Sequence, residues 1–356
     1  MRLNPDRLIR TLTTLDIFID RSLELTHHTN YLSGFHYNRD LLLSSLANTY
    51  VETVGNKADS LHLAIKNVPI SNIYWEYLRT VKIVGKRFNL QNLDVILAFD
   101  YTDEDFYGKP RNMWLHSWTG ENGVTSKFKF LTAAIISSEI PEKIPLISIP
   151  IQIGHNLAKE VCFCITLIRP LVKTIRLLLF DRGFYSKELM LTLNSDYPYL
   201  IFVPKNKRVK KELSHMVEKE KKKIYYEFKL NKDKTILRGK TTLALLKQIF
   251  DSKAKKTFDW AFATNQDEIN LDNIVATYKG RWRIETGFRV QDEAKIKSKS
   301  TDIKVRFFLF VYEQVLQMLW IALYKEEVSF KEFLLNICEL CENRSRKAEK
   351  RQKPPR

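Results

Sequence analysis

The acid Glu285 stands among arginines and large aromatic rings in the stretch YKGRWRIETGFRVQDEAKIK, residues 278–297. The spacing predicts a helix, on which five side chains share one face: Tyr278, Arg281, Glu285, Arg289 and Asp292. Both arginines lie four residues from Glu285, so either can pair with it. One interpretation is a surface helix whose ion pairs are solvated. The other is an active-site acid beside cations that bind phosphate, which requires further acids elsewhere in the chain.

Two other acids follow continuous apolar runs. The segment VILAFD ends at Asp100, and the segment IRLLLFD ends at Asp181. Such runs are typical of strands that are buried on both faces of a sheet, and each run carries its carboxylate to the point where the strand leaves the core. A turn residue or helix N-cap is the simpler interpretation for either aspartate alone. Arg182 and Gly183, directly after Asp181, favour a tight exit with a cation at the same edge.

A divalent cation would explain two neighbouring carboxylates. If the two strands are parallel neighbours, about 4.8 Å apart, their carboxylates end side by side and repel one another. Mg²⁺ prefers oxygen ligands and is usually held by one or two carboxylates together with substrate phosphate and water. Of the nearby acids in DYTDEDFYGK, Asp100 is the candidate because it ends the apolar run, whereas the other three are predicted to be exposed in a loop.

Composition points to a folded protein with a polyanionic partner. The chain has 356 residues, of which 44% are hydrophobic, and 58 Lys and Arg against 41 Asp and Glu give a net charge of +17. Nucleic acid is the commonest partner for such a charge. The N-terminus lacks a signal-peptide pattern, so we expect a cytoplasmic, nucleoid-associated protein. The apolar segment after Arg306 contains Glu313, Gln314 and Gln317, which favours a core helix over a membrane span.

The element pattern changes near residue 89. Residues 1–88 are predicted to form a helical, DNA-binding domain, and residues 89–325 a catalytic domain with an insertion at about 204–256. Residues 326–356 are predicted to form a helix and a disordered basic tail that contacts nucleic acid. Two long helices are expected at about 270–296 and 303–325. Strands at 95–100, 128–136, 145–151, 175–181, 199–203 and 258–265, mixed with helices, predict an α/β fold with a mixed sheet.

At this point the chain resembles a known family. The segments FDYTDEDFYGK, LFDRGFYS, WAFATN and YKGRWRIETGFR, in this order, are similar to motifs of insertion-sequence DDE transposases, in particular those with a Tyr-Arg-Glu-Lys signature. The resemblance spans about residues 93–324. It implies a ribonuclease H-like mixed sheet with flanking helices, preceded by an all-helical N-terminal domain. It also implies that Asp100, Asp181 and Glu285 are the catalytic, metal-binding acids.

The resemblance and the residue pattern together predict metal-dependent phosphoryl transfer on DNA. Two Mg²⁺ or Mn²⁺ ions would be held by the three acids, one activating the attacking hydroxyl and one stabilising the leaving oxygen. Six residues are predicted to bind DNA: Tyr278, Arg281, Arg289, Lys295, Arg182 and Trp282. The arginines would bind phosphates, and the two rings would stack on a base, although Trp282 fits core packing equally well. The signature lysine is replaced by Asp292, and Lys295 or Lys297 is the candidate to supply that cation.

The predicted partners are the inverted-repeat ends of the element and the target DNA, bound by a homodimer as the resemblance implies. Two alternatives stay open. The chain could be a metal-dependent nuclease of the same fold that cuts without joining. It could also be a transposase-derived DNA-binding protein without catalytic activity, which would be favoured if the three acids did not converge.

Overall fold

The architecture is a mixed sheet with helices on both faces. The computed structural model describes residues 3–27, 31–109, 112–120, 123–136, 143–194, 196–232, 235–252 and 254–352. The helices are α1 Pro5–Ser22, α2 Gly34–Ala47, α3 Val51–Val54, α4 Ala58–Asn67, α5 Ile70–Gly85, α6 Leu157–Ile168, α7 Lys187–Leu193, α8 Lys207–Ser214, α9 Ile274–Lys279, α10 Trp282–Gln291, α11 Ile303–Leu323 and α12 Phe330–Gln352. The strands are β1 Asp94–Phe106, β2 His116–Ser117, β3 Ser126–Ile135, β4 Ile144–Ile151, β5 Thr174–Phe180, β6 Tyr199–Phe202, β7 Lys221–Lys232, β8 Thr235–Asp251 and β9 Lys256–Thr264.

The sheet confirms the predicted mixed arrangement. Strands β1, β5 and β6 are parallel neighbours at its centre. On one side β3 and β4 follow as antiparallel strands, and on the other side β9, β8 and β7 do so. The central strands are continuous apolar runs because helices cover both faces, as in Leu177–Phe180 of β5, which is buried throughout. Strands β7 and β8, inside the predicted insertion, extend the sheet at its edge.

Strand β1 is longer than the sequence pattern predicts. It runs six residues beyond Asp100 to Phe106, since β3 pairs with it along this whole extension. The prediction that the acids after Asp100 lie in an exposed loop is therefore wrong. They lie in the strand, and Glu104 is buried beside the Arg306 guanidinium at 3.4 Å.

The predicted helix over residues 270–296 is divided in two. Between α9 and α10 the backbone bonds tighten from i,i+4 to i,i+3, with Arg281 N–H donating to the Tyr278 carbonyl and Ile284 N–H to the Arg281 carbonyl. Gly280 at this point lies close to β3, where an added Cβ would be 3.5 Å from the Ile136 side chain. Helix α10 ends at Gln291, so the segment that follows leaves the helical face.

The helices before residue 88 share one hydrophobic core with the end of the chain. Helices α1, α2 and α5 pack against α11 and α12, and buried residues from both parts form a single cluster. The domain boundaries at residues 88 and 325 stay predictions. The prediction of a disordered tail is wrong as far as Gln352, because α12 continues to that residue. Arg344 on this helix pairs with Asp16 at 2.7 Å. Residues 353–356 lie outside the described part.

Helix α11 is the central core helix. Among the described residues it alone is long and apolar enough to cross a membrane by composition, and 94% of its apolar window is buried inside the fold. Its polar residues serve internal contacts: the Glu313 carboxylate accepts from Ile296 N–H at 2.7 Å, and the Gln317 amide donates to the Gly287 carbonyl at 2.7 Å. The predicted core role of this segment agrees with these contacts.

Candidate active site

Asp100 and Asp181 lie next to one another on parallel strands. The last residue pair that joins β1 to β5 is Phe99 with Phe180, and each aspartate is the next residue along its chain. Neighbouring strands lie about 4.8 Å apart, so the two carboxyl groups occupy the same edge of the β1–β5 ladder. The predicted parallel pairing of these strands is confirmed.

Asp181 directs its side chain towards α9 and not towards its own turn. It precedes a 3₁₀ turn, Arg182–Phe184, and its main-chain carbonyl accepts from Phe184 N–H at 3.0 Å. Its carboxylate makes no capping bond to that turn and accepts a hydrogen bond from the Tyr278 hydroxyl at 3.3 Å. The N-cap interpretation of Asp181 is therefore not supported by its contacts.

Tyr278 is a buried support for the acids. Its ring is 2% exposed and packs against Phe202, Phe262 and Trp260 on the sheet. Burial raises the pKa of Tyr278, so its hydroxyl keeps the proton that it donates to Asp181. The prediction that this ring stacks on a DNA base disagrees with its burial. The helical projection could not show which face of α9 packs against the sheet, and Tyr278 lies on that face.

Arg281 joins two of the three acids. Its Nη1 donates to Asp100 Oδ2 at 2.7 Å and its Nη2 to Glu285 Oε1 at 2.7 Å. The arginine is only 4% exposed, and its buried Nε has no hydrogen-bond partner within the described part of the chain. The sequence predicted its pairing with Glu285 but not the bridge to Asp100. In this arrangement the guanidinium binds carboxylates and is not open to a phosphate.

The site holds more negative charge than Arg281 offsets. Three carboxylates lie here, and Arg281 contacts two of them. Burial raises the pKa of Asp100 to about 6, although Arg281 and a hydrogen bond from Tyr101 N–H at 2.9 Å both lower it. The nearby Glu285 and Asp181 charges add to the rise. An additional cation would therefore be stabilised here.

The donor chemistry of this site suits a hard divalent cation. Carboxylate oxygens are the ligands that Mg²⁺ and Mn²⁺ take in proteins, and the excess negative charge favours such an ion. The Asp100 and Glu285 carboxylates are directed at Arg281, however, and the Asp181 carboxylate at Tyr278. No group of three or more His, Cys, Asp or Glu side chains in the described residues is arranged to hold a metal. The carboxylates of Asp100, Asp181 and Glu285 are therefore of the right chemical type to bind a divalent ion. Arg281, however, already bonds to one oxygen of Asp100 and one of Glu285.

The other predicted DNA-binding residues lie around this site with different exposure. Arg182, Arg289 and Trp282 are exposed, and Glu285 presents 42% of its side chain to solvent. Lys295 follows the end of α10 in extended conformation and pairs with Asp292 at 3.8 Å. Lys295 thus lies one turn beyond the position of the signature lysine, next to the aspartate that replaces it.

The sequence pattern did not predict a second charged pair on the same sheet face, between Glu104 and Arg306. Glu104 is four residues beyond Asp100 on β1, so both side chains project to one face. Its carboxylate pairs with Arg306 of α11, and burial raises the pKa of Glu104 while Arg306 lowers it. The alternation Asp100, Thr102, Glu104, Phe106 is the signal that could have indicated a continuing strand.

The chain is similar to known transposases in part of its sequence and in its fold. Residues 157–312 match the family model described as the transposase DDE domain, a range that contains Asp181 and Glu285 and begins after Asp100. The comparison with curated proteins returns no match. Among solved structures, the chain is similar to the cryo-EM structure of the piggyBac transposase synaptic complex with hairpin DNA, with a TM-score of 0.55 and 12% identity over 98% of this chain and 80% of that one.

At this identity the structural likeness shows the fold, which is the predicted ribonuclease H-like mixed sheet with a helical N-terminal region. The family match over residues 157–312 supports a DNA transposase, and it favours neither a nuclease without joining activity nor an inactive DNA-binding protein.

Proposed function

We propose that this chain, which carries a transposase DDE domain over residues 157–312, cleaves and joins DNA at the ends of an insertion sequence by metal-dependent phosphoryl transfer. One observation carries the proposal. Asp100 and Asp181 stand side by side where the pairing of the parallel strands β1 and β5 ends, and Arg281 ties Glu285 of α10 to Asp100. Three acids that are distant in sequence thereby converge in a chain that matches a transposase family.

Asp100, Asp181 and Glu285 would hold two divalent ions, Mg²⁺ or Mn²⁺. Bound there, the ions would supply Lewis-acid activation of the attacking hydroxyl and stabilisation of the leaving oxygen in an in-line displacement. Tyr278 holds the Asp181 carboxylate in place through its hydroxyl. The Tyr101 N–H does the same for Asp100, so both strand-end acids are oriented before substrate arrives.

The exposed cations around the acids would bind the phosphates of the scissile strand. Arg182 and Arg289 are accessible for bidentate contact with phosphate oxygens, and the exposed ring of Trp282 offers a stacking surface. Arg281 would join them once its carboxylate partners engage a metal. The structural neighbour was determined as a synaptic complex with hairpin DNA, which supports DNA as the substrate here. A homodimer on paired inverted repeats, acting on target DNA in the cytoplasm, is part of this proposal.

The test is a nicking and joining assay on DNA that carries the inverted repeats flanking the gene, with Mg²⁺ or Mn²⁺. The wild-type chain should cleave at the repeat ends and yield joined products, and Glu285→Ala should yield neither while still binding the DNA. Cleavage without joined products would indicate the nuclease. Binding without cleavage by the wild-type chain would refute the enzyme proposal.

A further inference from the structure

A groove lies between the end of β1 and residues 295–299, which follow α10. Its volume is about 580 Å³, and its walls include Tyr50, Glu104, Tyr107, Lys297, Lys299 and Arg306. Glu104 and Asp100 share one face of β1 and are four residues apart, which is about 13 Å along the strand. That distance corresponds to about four nucleotides of one DNA strand at 3.4 Å each.

The lysine side of the groove is held in a fixed conformation. Lys297 N–H donates to the Thr49 carbonyl at 3.0 Å, and Lys297 and Tyr50 form a parallel bridge. The next residue towards α10, Ile296, is buried and donates its N–H to Glu313. The Asn48 amide lies 3.3 Å from the Lys295 carbonyl. Contacts between distant parts of the chain thus order a segment whose side chains are mostly charged.

Two lysines in this groove have no acidic partner among the described residues. Glu104 is paired with Arg306, and Asp105, also in the wall, lies 3.8 Å from Lys127. By contrast, Lys297 and Lys299 are exposed, and neither forms an ion pair with any residue that the structure describes. Lys299 lies 5.0 Å from the centre of the Tyr50 ring.

We propose that this groove binds the phosphate backbone of the DNA that continues from the scissile phosphate, with Lys297 and Lys299 on two of its phosphates. The proposal rests on the proposed function, since it takes the three acids as the point of cleavage. Complementary charge and the shared sheet face support it. Tyr107, 66% exposed on the opposite wall, adds an aromatic surface of the kind that binds bases.

The experiment measures binding of repeat-end DNA by fluorescence anisotropy, without divalent metal, from low to moderate salt. Lys297→Gln/Lys299→Gln is compared with Lys159→Gln/Arg169→Gln, an equal loss of charge at exposed positions on and just after α6, outside the predicted DNA-binding domain. The groove variant should lower the slope of log affinity against log salt by about 1.8, because each lost phosphate contact removes about 0.9. Unchanged thermal melting would show that the variant is folded. A slope equal to that of the α6 variant overturns the proposal.

A second measurement locates the contact. Neutral methylphosphonates are placed three to five nucleotides from the terminal nucleotide of the repeat. They should weaken binding by the wild-type chain and have little further effect on Lys297→Gln/Lys299→Gln. Equal weakening in both proteins overturns the assignment. If the wild-type chain cleaves and joins but these tests fail, the groove inference alone is refuted. If they succeed while the wild-type chain neither cleaves nor joins, the proposed function alone is refuted.

Discussion

Arg281 is the residue that distinguishes this site from a simple group of acids. It provides the only contact that links Glu285 to Asp100 among the hydrogen bonds of the described residues. A buried guanidinium between two carboxylates offsets their repulsion and fixes their separation. It also occupies one oxygen of each acid, so a metal and Arg281 compete for the same ligands.

Replacing Arg281 should therefore change metal binding. We expect Arg281→Gln to bind Mn²⁺ about tenfold more tightly than the wild-type chain, because a positive charge and two hydrogen bonds are removed from the ligand oxygens. Isothermal titration calorimetry without DNA measures this. Arg289→Gln is the matched control, since Arg289 lies on the same helix but is exposed. Weaker binding by Arg281→Gln would instead mean that the arginine holds the acids in the geometry that binds metal.

Helices α10 and α11 together place Glu285 over the sheet. The Gln317 amide of α11 donates to the Gly287 carbonyl of α10, and the Gln291 amide lies 3.3 Å from the Glu313 carboxylate. Ile284 of α10 packs into the cluster on the sheet face that also contains Tyr278. The position of the third acid thus depends on side chains of a core helix that makes no contact with substrate in the proposed mechanism.

Two glycines test how closely the helices pack. An added Cβ on Gly34 would lie 2.3 Å from the Asp16 carbonyl oxygen, so Gly34→Ala requires α1 and α2 to separate. We expect a loss of about 2–3 kcal/mol in the free energy of unfolding. Gly287→Ala is the control, because its Cβ meets no atom within 4 Å, and a gain of about 0.5–1 kcal/mol is expected from helix propensity. Urea denaturation measures both, and an unchanged stability of Gly34→Ala would contradict this packing.

Glu313 should make stability depend on pH. Burial raises the pKa of Glu313 well above its usual 4.5, with the charge of Glu104 adding to the rise. The folded state therefore binds this proton more tightly than the unfolded state. Stability from this group is complete below about pH 4.5 and falls as pH rises towards the higher folded pKa, by at most about 1.4 kcal/mol per pH unit.

Glu313→Gln should flatten this fall and raise stability at neutral pH. The Gln291 Oε1 is buried without a partner, so that amide can turn to accept from the new glutamine. Denaturation midpoints at pH 5, 6, 7 and 8 measure the effect, with Glu339→Gln on the exposed side of α12 as the control. An identical pH dependence in Glu313→Gln and the wild-type chain would contradict a buried, protonated Glu313.

The whole chain combines a net charge of +17 with a core that joins its two ends. Asn48 and Thr49 attach the N-terminal helices to the segment that follows α10, the helix that carries Glu285. A DNA contact on the N-terminal helices would therefore be held in register with the site. Joining two DNA ends requires a site at each end. We expect two chains per pair of repeat ends, as measured by light scattering of the DNA complex. Complexes that contain one chain and one DNA end at every concentration, and never two chains with two ends, would contradict the dimer.

Several features could be predicted from the sequence, and the reasons differ for those that could not. The strands that carry Asp100 and Asp181 were predictable because buried strands are continuous apolar runs. The continuation of β1 to Phe106 was hidden, since its mixed polar residues pair with β3, a partner distant in sequence. Helical periodicity predicted that Arg281 pairs with Glu285, but it did not predict which face of α9 is buried. That face decides that Tyr278 supports Asp181. The bridge from Arg281 to Asp100 depends on tertiary contact alone.

The central claim is that Asp100, Asp181 and Glu285 act as one metal-dependent site, and the rate of repeat-end cleavage tests it most directly. Each of three substitutions should lower the cleavage rate by about 1000-fold or more while DNA binding is retained: Asp100→Asn, Asp181→Asn and Glu285→Gln. When catalytic residues act as a unit, the loss of one costs about as much activity as the loss of all. Asp103→Asn is the matched control, as Asp103 lies on the same strand with its side chain beside Lys127. Near wild-type cleavage by any one of the three variants, or an equal loss in Asp103→Asn, would contradict the account.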